Sequence, residues 1–194
     1  MKNIILASQS VNRRRLLEQI GLQFEVIPSN YEEDMTLDMP FEELAMFLSK
    51  GKADDVAKDH PNSIIIAADT FFVHNNKVAG KPHSDEEAFK TLQALRGQKH
   101  TYVTGFTIID TETEQIIQDH ASVDIWMRAD LTDQELKNYI ANEVEPVTTK
   151  AGGYDGMNLG AILIDRMEGD WTTSNGLPLS KLAVALQKVG VELL

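Results

Sequence analysis

The stretch Ser63-Ile64-Ile65-Ile66-Ala67-Ala68-Asp69-Thr70-Phe71-Phe72-Val73 is apolar almost throughout, rich in isoleucine, and broken by a single carboxylate. Such a run, with no polar residue at alternate positions, reads as a strand buried on both faces, the kind found in sheets covered by helices. Upstream, Asn3–Ala7 reads as another short buried strand. Ser10 then stands where a helix cap is wanted, before a helix carrying Leu16, Leu17 and Ile20 and stopping at Gly21. Phe24–Pro28 suits a second strand, Glu32-Glu33-Asp34 an acidic loop, and Pro40 the first turn of a helix running to about Lys58. Downstream, Asn75-Asn76 signals a turn. Ser84 with Glu87, and Thr132 with Glu135, have capping-box spacing for helices reaching Leu95 and Ala141. Lys99–Asp110 and Gln115–Arg128 look like an antiparallel pair, Ala161–Glu168 a further strand, and Pro178–Lys188 the last helix. The expected fold is α/β, with a mixed twisted sheet and flanking helices.

The 194 residues suffice for one domain, or for two lobes around a cleft. With 30 acidic against 18 basic residues the net charge is -12. That field disfavours nucleic acid polymers and anionic membranes as partners, while a local group of cations could still hold a small phosphorylated ligand. The absence of cysteine excludes disulfides and thiol catalysis. The opening apolar stretch is too short for a secretory signal or a membrane span, so a cytoplasmic protein is expected.

Several segments carry candidate chemistry. In Leu6–Leu17 a strand enters a hydroxyl-bearing loop with Ser8 and Ser10, and the loop opens a helix. Free backbone N–H groups at such a turn form an anion site. Arg13 lies three and four residues before Leu16 and Leu17 and so shares their inward face; a cap followed by solvated arginines is the plainer alternative. On the next helix, Phe41, Leu44, Ala45, Leu48 and Val56 form a stripe with Lys52 in its middle. That lysine must snorkel to water or meet an anion. Asp69, at the end of its apolar run, is rarely tolerated without a cation, a metal or a catalytic task, and because Phe71-Phe72-Val73 continues the strand a capping role does not suit it. Lys81 in Gly80-Lys81-Pro82, Glu33 in the acidic loop, and the glycine-rich Lys150–Gly156 segment each fit either a ligand contact or an ordinary surface turn.

Together these segments resemble the Maf family of nucleotide pyrophosphatases, within the inosine-triphosphate pyrophosphatase superfamily, along nearly the whole chain. Leu6–Leu17 is similar to the family's opening LASxSPRR-type segment, Glu32-Glu33 to its acidic pair, Lys52-Ala53 to its KA element and Ala68-Asp69-Thr70 to its ADT element. Gly80-Lys81-Pro82, Leu95–His100, Glu145, Lys150-Ala151-Gly152 and Gly176–Leu179 match later motifs in order. The resemblance implies a single Maf-like domain over residues 1–194, two lobes around a central cleft, a homodimer, and bound Mg²⁺ or Mn²⁺. It implies Asp69 as proton acceptor and metal ligand, Glu33 as second metal ligand, and Ser8, Ser10, Arg13, Lys52 and Lys81 as the grip on a nucleoside triphosphate. The reaction implied is hydrolysis to the monophosphate and pyrophosphate, the alternative being a nucleotide-binding regulator of division or septum formation that does not hydrolyse.

Three positions distinguish the family's subgroups. The dTTP/UTP subgroup carries Arg, Thr and Gln, and the 7-methyl-GTP subgroup Trp, Gln and Glu; here they are Asn12, Thr70 and Met157. Only Thr70 agrees with the first and none with the second. Met157 cannot make the directional hydrogen bonds to a base edge that an amide or carboxylate makes, so a shifted or relaxed base preference is expected.

Overall fold

The computed structural model describes residues 2–34 and 37–194. In chain order the elements are β1 (Asn3–Leu6), α1 (Val11–Gln19), β2 (Glu25–Val26), α2 (Phe41–Ala57), β3 (Ser63–His74), β4 (Lys77–Ala79) and α3 (Asp85–Leu95). Then follow β5 (Lys99–Asp110), β6 (Gln115–Met127), α4 (Asp133–Asn142), β7 (Ile164–Gly169), α5 (Trp171–Ser174) and α6 (Leu179–Lys188). Seven strands form one sheet in the order β2-β1-β3-β5-β6-β7, with β4 paired to β3. The sheet is mixed: β1 runs parallel to β2 and β3, whereas β3–β4 and β6–β7 are antiparallel. Only four residues join β5 to β6, too few for anything but an antiparallel return. No helix among the described residues is long and apolar enough to cross a membrane.

The chain divides into two compact units, and β3, β5 and β6 each contribute to both. The first comprises Met1–Thr70, Thr104–Ala121 and Gly176–Leu194. Its core explains the unbroken apolar character of β3. Ile64, Ile66 and Ala68 pack with Leu16 and Leu17 of α1 and Leu182 and Leu186 of α6. Ile65 and Ala67 belong to a separate cluster with Ala53 and Val56 of α2. Alternate residues of a strand point to opposite faces, and here both faces are roofed by helices. The second unit comprises Phe71–Val103 and Ser122–Asn175. Its core gathers Leu92 and Leu95 of α3, Leu136 and Tyr139 of α4, Val123 and Ile125 of β6, and the buried rings of Phe72, Tyr102 and Tyr154.

Two local readings need correction. Residues 161–163, expected in a strand, lie in a 3₁₀ segment, Asn158–Leu163, and extended backbone starts at Ile164. Asn158 holds φ of 50° and a Cβ on Gly160 would stand 2.1 Å from the Asp155 carbonyl oxygen, so the chain is coiled too tightly there to extend. At α3 the capping box is only half made. Ser84 Oγ accepts from the Glu87 backbone N–H, but the Glu87 carboxylate accepts from His83 N instead of from the cap residue. At α4 both halves of the Thr132–Glu135 box are present.

Candidate active site

The loop between β1 and α1 is built by its serines. Ser8 Oγ accepts from Ser10 N (3.2 Å), and Ser10, the N-cap of α1, accepts from Arg13 N (3.4 Å). This orders the helix start and turns the Arg13 side chain inward. Its guanidinium donates to Ser8 Oγ (3.1 Å), Thr70 Oγ1 (3.2 Å) and the Gly176 carbonyl (3.0 Å). Gly176 is required at that place: its φ is 105°, and a Cβ would stand 3.0 Å from Arg13 Nε. Thr70 in turn shares a hydrogen bond of 2.9 Å with Thr104 of β5. Three neutral oxygens thus fix the guanidinium without neutralising it. Burial draws Arg13 below its ordinary pKa, against the pull of Asp69 and Glu33, and a residue of this type keeps its charge in proteins.

Asp69 follows Ala68 in β3 and is 5% exposed. The Lys52 ammonium, carried by α2, hydrogen-bonds Asp69 Oδ1 and lies 2.8 Å from Glu33 Oε1. Lysine in an apolar stripe had two outcomes open to it, and here it is paired with anions. Burial pushes the Asp69 carboxyl above the ordinary carboxylate range; Lys52 and Arg13 oppose that rise and Glu33 adds to it.

Among the described residues no helix or strand carries Glu33, so its delivery depends on α2. Asp55 accepts from Ser29 Oγ (3.2 Å) and Asn30 N (2.8 Å), and Ser29 Oγ accepts from Tyr31 N (2.9 Å). The Tyr31 ring covers Gly51, where a Cβ would meet the ring at 2.3 Å. Gly51, Lys52 and Asp55 therefore hold the acidic loop from a single helix. The sequence singled out neither Gly51 nor Asp55. Gly51 alone offered a hint, since a glycine inside a helix costs about 1 kcal/mol against alanine unless something uses the space. Thr104 was likewise not singled out, being one of three threonines in β5 with nothing local to set it apart.

Ser8, Ser10, Asn12, Arg13, Glu33, Lys52, Asp69 and Thr70 all belong to the first unit. Lys81 and Met157 belong to the second. There the Gly80-Lys81-Pro82 turn is tied to the glycine-rich segment, because Gly152 N donates to the Gly80 carbonyl (3.2 Å). Lys81 itself is exposed. Lys150 is buried between Glu143 (3.3 Å) and Asp155 (3.1 Å), and Asp155 also accepts from Met157 N (2.9 Å). That lysine is engaged in holding its own loop.

Among the described residues no three acids, histidines or cysteines form a ready metal cage. The Glu33–Asp69 pair nevertheless fits a hard cation in kind: two carboxylates face one positive charge, and Mg²⁺ commonly takes one or two protein carboxylates and completes its shell with water and substrate phosphate.

Chain-wide comparison agrees with this architecture. A HAM1 protein from Coxiella burnetii superposes with a TM-score of 0.53 at 15% identity, covering 97% of this chain and all of that one, a likeness of fold. A dTTP/UTP pyrophosphatase of Methanosarcina mazei is 44% identical over 192 residues, covering 98% of this chain and 96% of its own length. A dTTP/UTP pyrophosphatase of Caldicellulosiruptor saccharolyticus is 37% identical over 198 residues, covering 100% and 98%. The profile of the family described as Maf-like protein matches residues 3–189. With the ordered motifs, the mixed sheet and relatives aligned end to end, the chain belongs to the Maf family.

Proposed function

We propose that this protein hydrolyses nucleoside triphosphates to the monophosphate and pyrophosphate. One observation carries the reading: a buried aspartate and a loop glutamate share one lysine, while Arg13 is held nearby with its charge uncompensated by its hydrogen-bond partners. The names of its relatives, dTTP/UTP pyrophosphatase, support it. A binding-only regulator would have no use for two converging carboxylates.

In this reaction a water attacks the α-phosphorus, and Asp69 accepts its proton. The bond from the α-phosphorus to the bridging oxygen breaks, and pyrophosphate departs with the electron pair. Ser8, Ser10 and the open end of α1 hold phosphate oxygens through hydroxyl and backbone donors. Arg13 and Lys52, both of the first unit, offset the charge gathering on the leaving group. A divalent ion, Mg²⁺ or Mn²⁺, held by Glu33 and Asp69, would supply Lewis-acid polarisation of the phosphates. Homodimeric assembly completes the reading on the strength of the family resemblance.

Base preference is proposed to be relaxed. The Thr70 hydroxyl already bonds Arg13 and Thr104, and Met157 offers no directional partner to a base edge. Pyrophosphate release from a panel of ordinary and modified triphosphates, with both products identified, tests the whole reading. Orthophosphate as the first product would refute the reaction, and sharp dTTP/UTP selectivity would refute the relaxed preference. Asp69→Asn should lower kcat by about 10²–10⁴-fold with circular dichroism unchanged.

A further inference from the structure

We infer that Lys52 is the internal counter-cation of the Glu33–Asp69 pair, holding the two carboxylates together until divalent metal and triphosphate arrive jointly and then transferring its ammonium to the phosphates. The inference rests on the pyrophosphatase reading and specifies how that site is loaded.

Two cations serve the site, and they are tethered differently. Arg13 is fixed by three hydrogen bonds to neutral oxygens of Ser8, Thr70 and Gly176. Lys52 is held instead by Asp69 and Glu33, the same two groups that a metal would require. Its side chain is 13% exposed, so the ammonium has given up most of its water and relies on those partners. A lysine also carries a compact charge on a flexible four-carbon stem, whereas an arginine is a rigid fork. Lys52 is the movable cation and Arg13 the fixed one.

Charge balance then dictates the order of events. Glu33 and Asp69 against Lys52 and Arg13 make a set of two negative and two positive charges, with Arg13 coupled to both acids through space. A dication added by itself would have to displace Lys52 and overcharge a largely buried place. A triphosphate added by itself would bring several negative charges towards two carboxylates. Together they offset one another: the metal takes the acids, and the phosphates take the ammonium. Each ligand must therefore raise the affinity for the other, and by the same factor.

The test is Mn²⁺ binding without nucleotide, followed by titration calorimetry on wild type, Lys52→Gln and Lys52→Arg, with circular dichroism as the check on folding. Lys52→Gln removes the competitor and should bind Mn²⁺ at least about tenfold more tightly than wild type, within the usual range of site–site coupling. The same variant should bind a non-hydrolysable triphosphate analogue in EDTA more weakly. Lys52→Arg keeps the charge but grips the carboxylates with a rigid fork, and should bind Mn²⁺ more weakly than wild type. A folded Lys52→Gln protein whose Mn²⁺ affinity is equal to or below wild type overturns the inference. If that variant does not fold, Lys52→Arg decides, and wild-type or better Mn²⁺ affinity there overturns it. Pyrophosphate release by the wild type separates the two ideas. Release without the Lys52→Gln gain sinks the counter-cation alone. The gain without any release sinks the hydrolase reading and leaves the counter-cation standing.

Discussion

Arg13 shows how a single side chain can be committed by its neighbours. Its three donors reach Ser8, Thr70 and Gly176 along different directions, a geometry only a planar fork provides. Arg13→Lys preserves charge but cannot span those acceptors. We expect kcat to fall about tenfold or more, with KM for the triphosphate less affected, because what is lost is chiefly stabilisation of charge gathering on the leaving group; steady-state kinetics checks the split. Asp69, Lys52 and Arg13 were visible as sequence anomalies, each a charge where periodicity demanded an apolar residue. Glu33 was not. An acid in an acidic loop has the same local pattern whether it faces water or Lys52, and only its family motif distinguished it.

At the scale of elements, α2 both roofs the sheet and secures the loop that carries Glu33. Gly51→Ala isolates the second task. Alanine is the better helix former by about 1 kcal/mol, yet its Cβ would collide with the Tyr31 ring. The ring must swing away, and Glu33, two residues on, loses its seat. The expected outcome is kcat/KM lower by about tenfold with little loss of stability; a variant that is stabilised and fully active would show that Tyr31 does not position the loop. Gly105 reports the roofing task. A Cβ there would lie 2.4 Å from the Ala45 and Met46 backbone of α2, and Ser49 and Thr107 hydrogen-bond at 2.7 Å across the same contact. Gly105→Ala should destabilise by about 2–3 kcal/mol through overpacking, measurable by urea denaturation. The helices and long strands were legible because caps and apolar runs are local signals. The 3₁₀ coil at Asn158–Leu163 was not, since what prevents extension there is a backbone contact between Gly160 and Asp155 that no propensity encodes.

For the whole molecule, stability should depend on acid through His100. This side chain is 2% exposed, hydrogen-bonded to the Tyr154 hydroxyl and packed on Phe72 and Tyr102. Burial, reinforced by His74, lowers its pKa to about 4 from 6.5. The unfolded chain therefore takes up the proton first. The stabilisation is complete above about pH 6.5, shrinks as pH falls, and is exhausted near pH 4, a loss of about 3 kcal/mol at 1.36 kcal/mol per unit. Unfolding free energies measured from pH 7 to 4 should show that decline, and His100→Gln should flatten it. The two-faced burial of β3 was readable from composition alone, whereas the dependence of Arg13 on residue 176 was not, because its partner is a backbone carbonyl and lies 163 positions away. That separation bears on folding. Arg13 gains its third acceptor only when residues 176–194 pack back onto residues 1–70 within the first unit, so seating the guanidinium requires a long-range docking event that the local helix start cannot supply.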